Sequence, residues 1–417
     1  MHLKTILNRV QRHKSFVYDA VRFRDSESAL ALEVDIRARA NGQAVCSGCG
    51  RRRAGYDRLP PRRYEFVPLW GIAVFFLYAP RRVACPRCGV TVERVPWAQG
   101  KSPVTTTYLW FLASWAKRLS WQEVATVFRT SWHSVYRAVT LAVLWGLANR
   151  SLDDVQAIGV DEIQWRKGHK YLTLVYQIEK GCKRLLWVGL ERTEASLRSC
   201  FEDLGKDFVA GLRYICSDMW QPYLSVIAAQ ASQAVHVLDR FHIMANLNKA
   251  IDKVRAEEAR RLKADGYEQV FKHSRWCLLK RPENCTEKQA VKLAEILKYN
   301  LRTVRAYLHK EDFQQFWEYQ SPGWAGRFLD GWCQRVMHSQ IEPLKKQARS
   351  LREHRELLLN WFRARGTVSA GVVEGLNYNA KLTMKKAYGY RTPQGVKIAL
   401  YHRLGALPEP EFTHRFW

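Results

Sequence analysis

Residues 369–391 read SAGVVEGLNYNAKLTMKKAYGYR. Val373, Leu376, Ala380, Met384 and Ala387 recur at helical spacing and predict an apolar stripe. Glu374, Asn377, Tyr378, Lys381 and Lys385 fall on another face, again at helical steps. A single carboxylate therefore opens a helix whose polar face is otherwise cationic. Ser369 suits the N-cap and Gly389 suits the stop. Alone, the pattern also fits a solvated surface helix. The acids upstream give it another meaning.

The first of those acids is Asp161. Ile158, Val160, Ile163 and Trp165 predict a strand, and Asp161 stands in its middle. A carboxylate there is costly to bury unless it is paired or binds a metal. Strand alternation sends Glu162 to the opposite face. Two further strands follow, residues 171–178 and 184–190, then a helix capped by Thr193 and running to Leu204. A fourth strand, residues 213–216, ends at Ser217-Asp218. A helix over residues 222–230 leads to a fifth strand, residues 234–238, ending at Asp239. Three strands, helix, strand, helix, strand is the order of a ribonuclease-H-like core. Its first and fourth strands are neighbours, so Asp161 and Asp218 should converge. Taken singly, a strand-end aspartate is a turn or cap residue; the pairing with Asp161 is what suggests a site.

The chain has 417 residues, 47% of them hydrophobic and 12% aromatic, with 16 Trp. That composition fits a globular, multidomain protein rather than a disordered one. A net charge of +28 points to a polyanion, with nucleic acid first and a membrane surface second. No apolar run is long enough to span a bilayer, since residues 66–80 are broken by Pro68 and Gly71. The opening MHLKTILNRVQRHK lacks the apolar region of a signal peptide. A cytoplasmic location is expected, with the 10 Cys reduced or metal-bound.

Residues 1–40 alternate as two strands before an Asn41-Gly42 turn. Cys46-Ser-Gly-Cys49 and Cys85-Pro-Arg-Cys88 then offer two thiolates each, the set a tetrahedral zinc ion needs. Four Cys ligands leave no open position, so this zinc would be structural. A redox pair or unrelated thiols are the alternatives. The aromatic stretch 66–78 fits a hairpin between the knuckles. Residues 105–119, 121–129 and 132–149 predict three helices, with Ser120 and Ser131 as caps. The tight turn between the second and third fits a helix-turn-helix, with Arg129, Thr130, His133, Ser134 and Arg137 facing a major groove. An ordinary helical hairpin fits the same pattern. Residues 250–365 are helical and highly charged, and a last helix runs from Thr392-Pro393 to Leu404.

These residues together resemble the ISL-three family of bacterial insertion-sequence transposases. The resemblance runs over nearly the whole chain. It is most specific at Val160-Asp161-Glu162, Ser217-Asp218-Met219-Trp220, Leu238-Asp239-Arg240-Phe241-His242, Glu374-Gly375-Leu376-Asn377 and Tyr388-Gly389-Tyr390-Arg391. It implies a multidomain α/β protein: a zinc module at 1–98, a helix-turn-helix at 99–150, and a ribonuclease-H-like core at 151–249 and 366–417 with a helical insertion at 250–365. It maps the catalytic DDE acids to Asp161, Asp218 and Glu374, holding two Mg2+ (or Mn2+) ions, with Asp239 and His242 as an auxiliary pair. Lys381 and Lys385 would hold phosphates beside Glu374. The implied partner is double-stranded DNA, both transposon ends and target, bound by a homodimer or higher oligomer at the nucleoid. A zinc-containing DNA-binding regulator without catalysis and a structure-specific nuclease are the alternative readings. Strand cleavage separates off the first, and strand joining the second.

Overall fold

A computed structural model describes residues 3–26, 29–267, 271–364 and 371–411. The chain divides into two compact units, Met1–Arg150 with Leu382–Trp417, and Ser151–Lys381. It is a multidomain α/β protein.

In the first unit, α1 (Leu3–Val10) leads into β1 (Phe16–Ser26) and β2 (Ala29–Ala38). Short strands β3 (Ala44–Val45), β4 (Arg52–Arg53) and β5 (Gly55–Arg58) precede the hairpin of β6 (Arg62–Leu69) and β7 (Ile72–Tyr78). The hairpin turns on Trp70 and Gly71, both left-handed at φ 50° and 79°, as a tight hairpin turn of this hand requires. It lies between the cysteine pairs but joins the N-terminal strands, in the order β1-β2-β7-β6. Alternation buries Val34, Tyr64, Val74 and Phe76 in one cluster with Trp97. Of the second cysteine pair, Cys85 ends β8 (Arg81–Cys85) and Cys88 lies in the turn to β9 (Gly89–Val92); these strands belong to a separate sheet ordered β5-β8-β9.

Three helices follow: α2 (Thr106–Ala116), α3 (Trp121–Val127) and α4 (Trp132–Asn149). Each start has a side-chain cap. Thr105 accepts from Tyr108 N–H, Ser120 forms a capping box with Glu123, and Ser131 accepts from Ser134 N–H. Val124, Ala125, Val135 and Val139 are buried between the helices, and Phe128 packs on Phe111 and Trp115. The last helix, α16 (Pro393–Leu404), also belongs to this unit and packs on α4.

The second unit is built on a five-stranded sheet. Its strands are β10 (Ala157–Arg166), β11 (Lys170–Gln177), β12 (Arg184–Leu190), β13 (Tyr214–Ser217) and β14 (Val235–Leu238). The spatial order is β12-β11-β10-β13-β14. The first three strands form an antiparallel meander, and β13 and β14 run parallel to β10. Helices α5 (Glu194–Leu204), α6 (Lys206–Gly211) and α7 (Gln221–Gln230) fill the connections. The short α6 is not anticipated by the sequence pattern. Parallel strands need crossovers that pack back on the sheet. Leu197, Phe201, Tyr223 and Ile227 do so, against Ile158, Val160 and Ile215.

Beyond β14 the chain is helical. α8 (Arg240–Ala264) starts directly after Asp239, followed by α9 (Arg275–Leu279), α10 (Glu287–Leu297), α11 (Arg302–Gln314), α12 (Pro322–His338), α13 (Glu342–Glu353) and α14 (Arg355–Arg363). Phe313, Phe316, Trp317, Trp332 and Phe362 form its aromatic centre, joined by Ile243, Leu247 and Ile251 from α8. Buried Glu258 of α8 caps α11: its carboxylate accepts from the N–H groups of Arg302 and Thr303 at 2.9 and 2.8 Å. Finally α15 (Gly371–Lys386) begins in this unit, and its last turn is assigned to the first. Ser369, expected as the α15 cap, lies outside the described residues.

Candidate functional site

The edge of the sheet where β13 and β14 end gathers the acids. Asp161 sits within β10, opposite Leu174 of β11. Two residues earlier, Gly159 faces α15. A Cβ there would lie well inside contact distance of Val373 Cγ2, so only glycine lets α15 approach this closely. One turn on, the Asn377 side chain bridges the adjacent strands β10 and β11. Its Nδ2 donates to Asp161 Oδ2 at 2.6 Å, and its Oδ1 accepts from Tyr176 Oη at 2.8 Å. Asp161 Oδ1 accepts from Glu162 N–H at 2.8 Å. The mid-strand carboxylate is thus hydrogen-bonded on both oxygens, as burial demands.

This corrects one expectation. The sequence reading sets Asn377 on the polar face with Glu374, but Asn377 is 6% exposed and belongs with buried Val373, Ala380 and Met384. The helical steps 373, 377, 380 and 384 admit either assignment. The Tyr176 and Asp161 partners, invisible in a local pattern, decide it. Glu374, Tyr378, Lys381 and Lys385 are exposed, as expected. Gly389 takes positive φ as expected of a stop, but the left-handed residue closing the helix is Tyr388, at φ 53°.

Asp218 follows β13. Trp220 N–H donates to its Oδ1 at 3.1 Å and Arg192 Nη2 to its Oδ2 at 2.8 Å. Arg192 Nε lies 2.8 Å from Glu162 Oε1, and the guanidinium sits over the Trp220 ring, 4.5 Å from its centroid. Glu162 therefore does face away from Asp161, and one arginine ties it to Asp218. Asp239 follows β14 and caps α8, accepting from Phe241 N–H at 2.8 Å. His242 Nε2 is 4.0 Å from Asp239 Oδ2.

The acids feel one another. Burial pushes Asp161 above the ordinary carboxyl range and Asp218 adds to this, against Glu162 N–H, His242 and Asn377. Burial raises Asp239 as well, with Asp161 and Glu374 adding. Glu162 is pushed up to about 8, by burial first and then by Asp218, against the pull of Arg192. Asp161, Asp218, Asp239, His242 and Glu374 are thus within electrostatic reach. Among the described residues, however, only the four cysteines form a group whose ligand atoms all lie within 4.8 Å of one another. The acids are more widely spaced. As a donor set they fit a divalent cation: hard oxygens that repel one another, with one arginine set against Asp218.

The cysteines are Cys46, Cys49, Cys85 and Cys88. Each knuckle ends in a left-handed glycine, Gly50 at φ 70° and Gly89 at φ 72°, which folds the loop back over its thiols. Thr91 Oγ1 lies 3.2 Å from Cys46 Sγ and lowers that thiol's pKa, while Arg53 lowers Cys85 to about 6. Burial and the neighbouring thiols raise Cys88 to about 12. Four soft donors gathered in a small module could hold a metal ion. Of the remaining cysteines, Cys200, Cys216, Cys277 and Cys333 are buried.

The family model of the ISL3 transposases matches residues 158–400, which contain every one of these acids. The chain belongs to the ISL3 transposase family. It is 29% identical over 350 residues to the transposase for insertion sequence element IS1001 of Bordetella parapertussis, covering 83% of this chain and 85% of the relative. It is 28% identical over 425 residues to the transposase for insertion sequence element IS1557 of Mycobacterium tuberculosis, covering 93% and 92%. As an ISL3 transposase it is an enzyme acting on DNA. No helix among the described residues is long and apolar enough to cross a membrane.

Of the residues expected at DNA in this transposase, Arg129, His133 and Arg137 are exposed at the α3–α4 turn and the start of α4. Thr130 and Ser134 are partly covered, and the Ser134 hydroxyl lies 2.9 Å from that of Ser131. Sequence reasoning misses Arg192 and Trp220 as partners of Asp218. The available signal is weak: a cation before the Thr193 cap, and Glu162 beside Asp161 with no obvious partner.

Proposed function

We propose that this transposase is a DDE enzyme with a ribonuclease-H-like core, in which Asp161, Asp218 and Glu374 hold two divalent ions, Mg2+ or Mn2+. The observation that supports the reading is that Asp161 and Asp218 come from neighbouring parallel strands, and that the helix carrying Glu374 is bonded to Asp161 through Asn377. The strand order β12-β11-β10-β13-β14 agrees with such a core. When bound, the ions supply Lewis-acid activation of the attacking oxygen and stabilise the leaving oxygen. The chain's own residues do the rest. Asn377 and Glu162 N–H aim Asp161, and Arg192 and Trp220 N–H aim Asp218. Asp239 and His242 form an auxiliary pair beside them. Exposed Lys381 and Lys385 hold phosphates on the face of α15 that carries Glu374.

In the same reading the chain is organised as a zinc module (1–98), a helix-turn-helix (99–150), the core (151–249 and 366–417) and a helical insertion (250–365). Cys46, Cys49, Cys85 and Cys88 hold one structural Zn2+. Arg129, Thr130, His133, Ser134 and Arg137 contact the transposon ends, the protein works as a homodimer or higher oligomer on DNA, and it acts at the cytoplasmic nucleoid. The test is cleavage and strand joining of DNA bearing the element's ends. Asp161→Asn, Asp218→Asn and Glu374→Gln should each abolish both reactions, non-additively, because one missing ligand disables the unit. Binding to the ends should survive. Cleavage near the wild-type rate in any of the three overturns the assignment.

A further inference from the structure

The end of α15 is closed by paired hydrogen bonds: Gly389 N–H donates to Met384 O and Tyr388 N–H to Lys385 O, both at 3.0 Å. This is a Schellman closure, in which the residue at Tyr388 must be left-handed. Glycine commonly stands there, because a Cβ makes that conformation costly. Here it is tyrosine at φ 53°, and the glycine comes one residue later at φ 92°. Packing does not compensate the cost, since Tyr388 is 101% exposed.

The segment is nonetheless anchored on both sides. Lys386 Nζ donates to the Arg118 carbonyl oxygen, and the Tyr390 ring meets the Trp121 ring edge-on at 5.3 Å. Trp121 in turn packs on Trp132 and Tyr136 of α4. The Tyr388 ring is thus presented on a fixed mount, flanked by exposed Lys385 and Arg391. Strain held by an exposed non-glycine residue is grounds for a functional proposal. An exposed aromatic with an exposed cation three residues to either side in sequence, on a chain of net charge +28, suits a base face with phosphates nearby.

We propose that Tyr388 contacts DNA by stacking on a base exposed from the helix, with Lys385 and Arg391 on the adjoining phosphates. The proposal rests on DNA being the substrate, which family membership establishes, and not on which acids are catalytic. The exposed base could come from an unpaired strand or from a base step opened within a duplex.

The experiment uses the full chain with Tyr388→Gly and Tyr388→Phe. The probes are a labelled duplex of arbitrary sequence, and the same duplex with an unpaired tail carrying 2-aminopurine. Tyr388→Gly should melt at or above the wild-type temperature, because it relieves the left-handed tyrosine. Its affinity for tailed DNA should fall about 5- to 150-fold, the range of one lost stacking contact. Tyr388→Phe should bind within about 2-fold of wild type and quench the 2-aminopurine equally, since stacking does not use the hydroxyl. A loss confined to tailed DNA identifies the unpaired strand, and an equal loss on both identifies an opened base step. Unchanged affinity for both probes overturns the proposal, as does a Phe variant as weak as Gly. A Gly variant melting below wild type overturns the premise of strain. Loss of cleavage in the Asp161, Asp218 or Glu374 variants bears on the catalytic reading alone.

Discussion

Gly159→Ala tests whether α15 is seated on β10 as the site requires. The added Cβ would meet Val373 Cγ2 deep inside contact distance and Ile178 Cγ2 at 3.2 Å. Ordinary carbon contacts lie at about 3.5–4.0 Å, so helix and strand would have to part by about 1 Å. Overpacking of this kind costs about 1–3 kcal/mol. Glu374 is the next residue after Val373, so it would move with the helix. In the role proposed for Glu374, a shift of about 1 Å would lower turnover about 100-fold. Val373→Ala alone removes two methyl groups, about 1.6 kcal/mol at ~0.8 each, plus a cavity cost. In the double variant the alanine methyl takes the vacated space. The double should therefore be more stable than the sum of the singles predicts, by about 1–2 kcal/mol. Denaturant midpoints of the four proteins give the coupling, and cleavage of end-bearing DNA gives the functional arm. A Gly159→Ala protein as stable and active as wild type, or a cycle additive within ~0.5 kcal/mol, would refute the placement of α15.

Other expectations follow from the same residues. Arg192→Met strips Asp218 and Glu162 of their shared cation; with Arg192 about a third exposed, up to ~3 kcal/mol of stability should go, the low end for a broken buried pair. Mg2+ should then raise the variant's melting temperature more than wild type's, and equal shifts would show that no cation enters beside Asp218. Purified protein should carry one zinc per chain, lost in the Cys46→Ser plus Cys85→Ser variant together with the fold of the cysteine module; metal analysis that finds zinc undiminished removes the assignment. Burial, with Lys117 and Arg403 adding, lowers His402 to about 3. Its folded pKa is below its ordinary 6.5, so its contribution is intact above pH 6.5 and lost as pH falls towards 3. Denaturant midpoints across that window should fall less steeply for His402→Leu than for wild type, and parallel slopes would exclude this histidine.

The parts legible in the sequence are those governed by local rules. Alternation around Asp161, the caps Thr105, Ser120, Ser131 and Thr193, and the doubled cysteine spacing are local signals, and the corresponding strands, helix starts and thiol cluster are present. What was not legible depends on partners distant in sequence. Asn377 reads as a surface residue because its partners Asp161 and Tyr176 lie some two hundred residues away. Arg192 reads as a loop cation because Asp218 and Glu162 come from two other elements. The hairpin between the knuckles is local, but its pairing with β2 is not, so its sheet could not be assigned. Tyr388 escaped because glycine was the expected left-handed residue, and tyrosine there breaks the rule.

The arrangement around α15 explains why Glu374 can stand exposed and still hold a defined position. Glu374 is fixed through its neighbours. Val373, one residue before, is set against Gly159, where no Cβ intervenes. Asn377, three residues after, is bonded to Asp161 and held by Tyr176. Both contacts land on β10 and its partner β11, so the helix carrying one acid is registered directly on the strand carrying another. Asp218 is registered on that strand too, because Arg192 links it to Glu162, the residue after Asp161. Each acid thus has its own support, made of neutral or cationic groups of the chain. Carboxylates that raise one another's pKa can then be gathered during folding, before any cation arrives. The same supports leave Glu374 open to solvent.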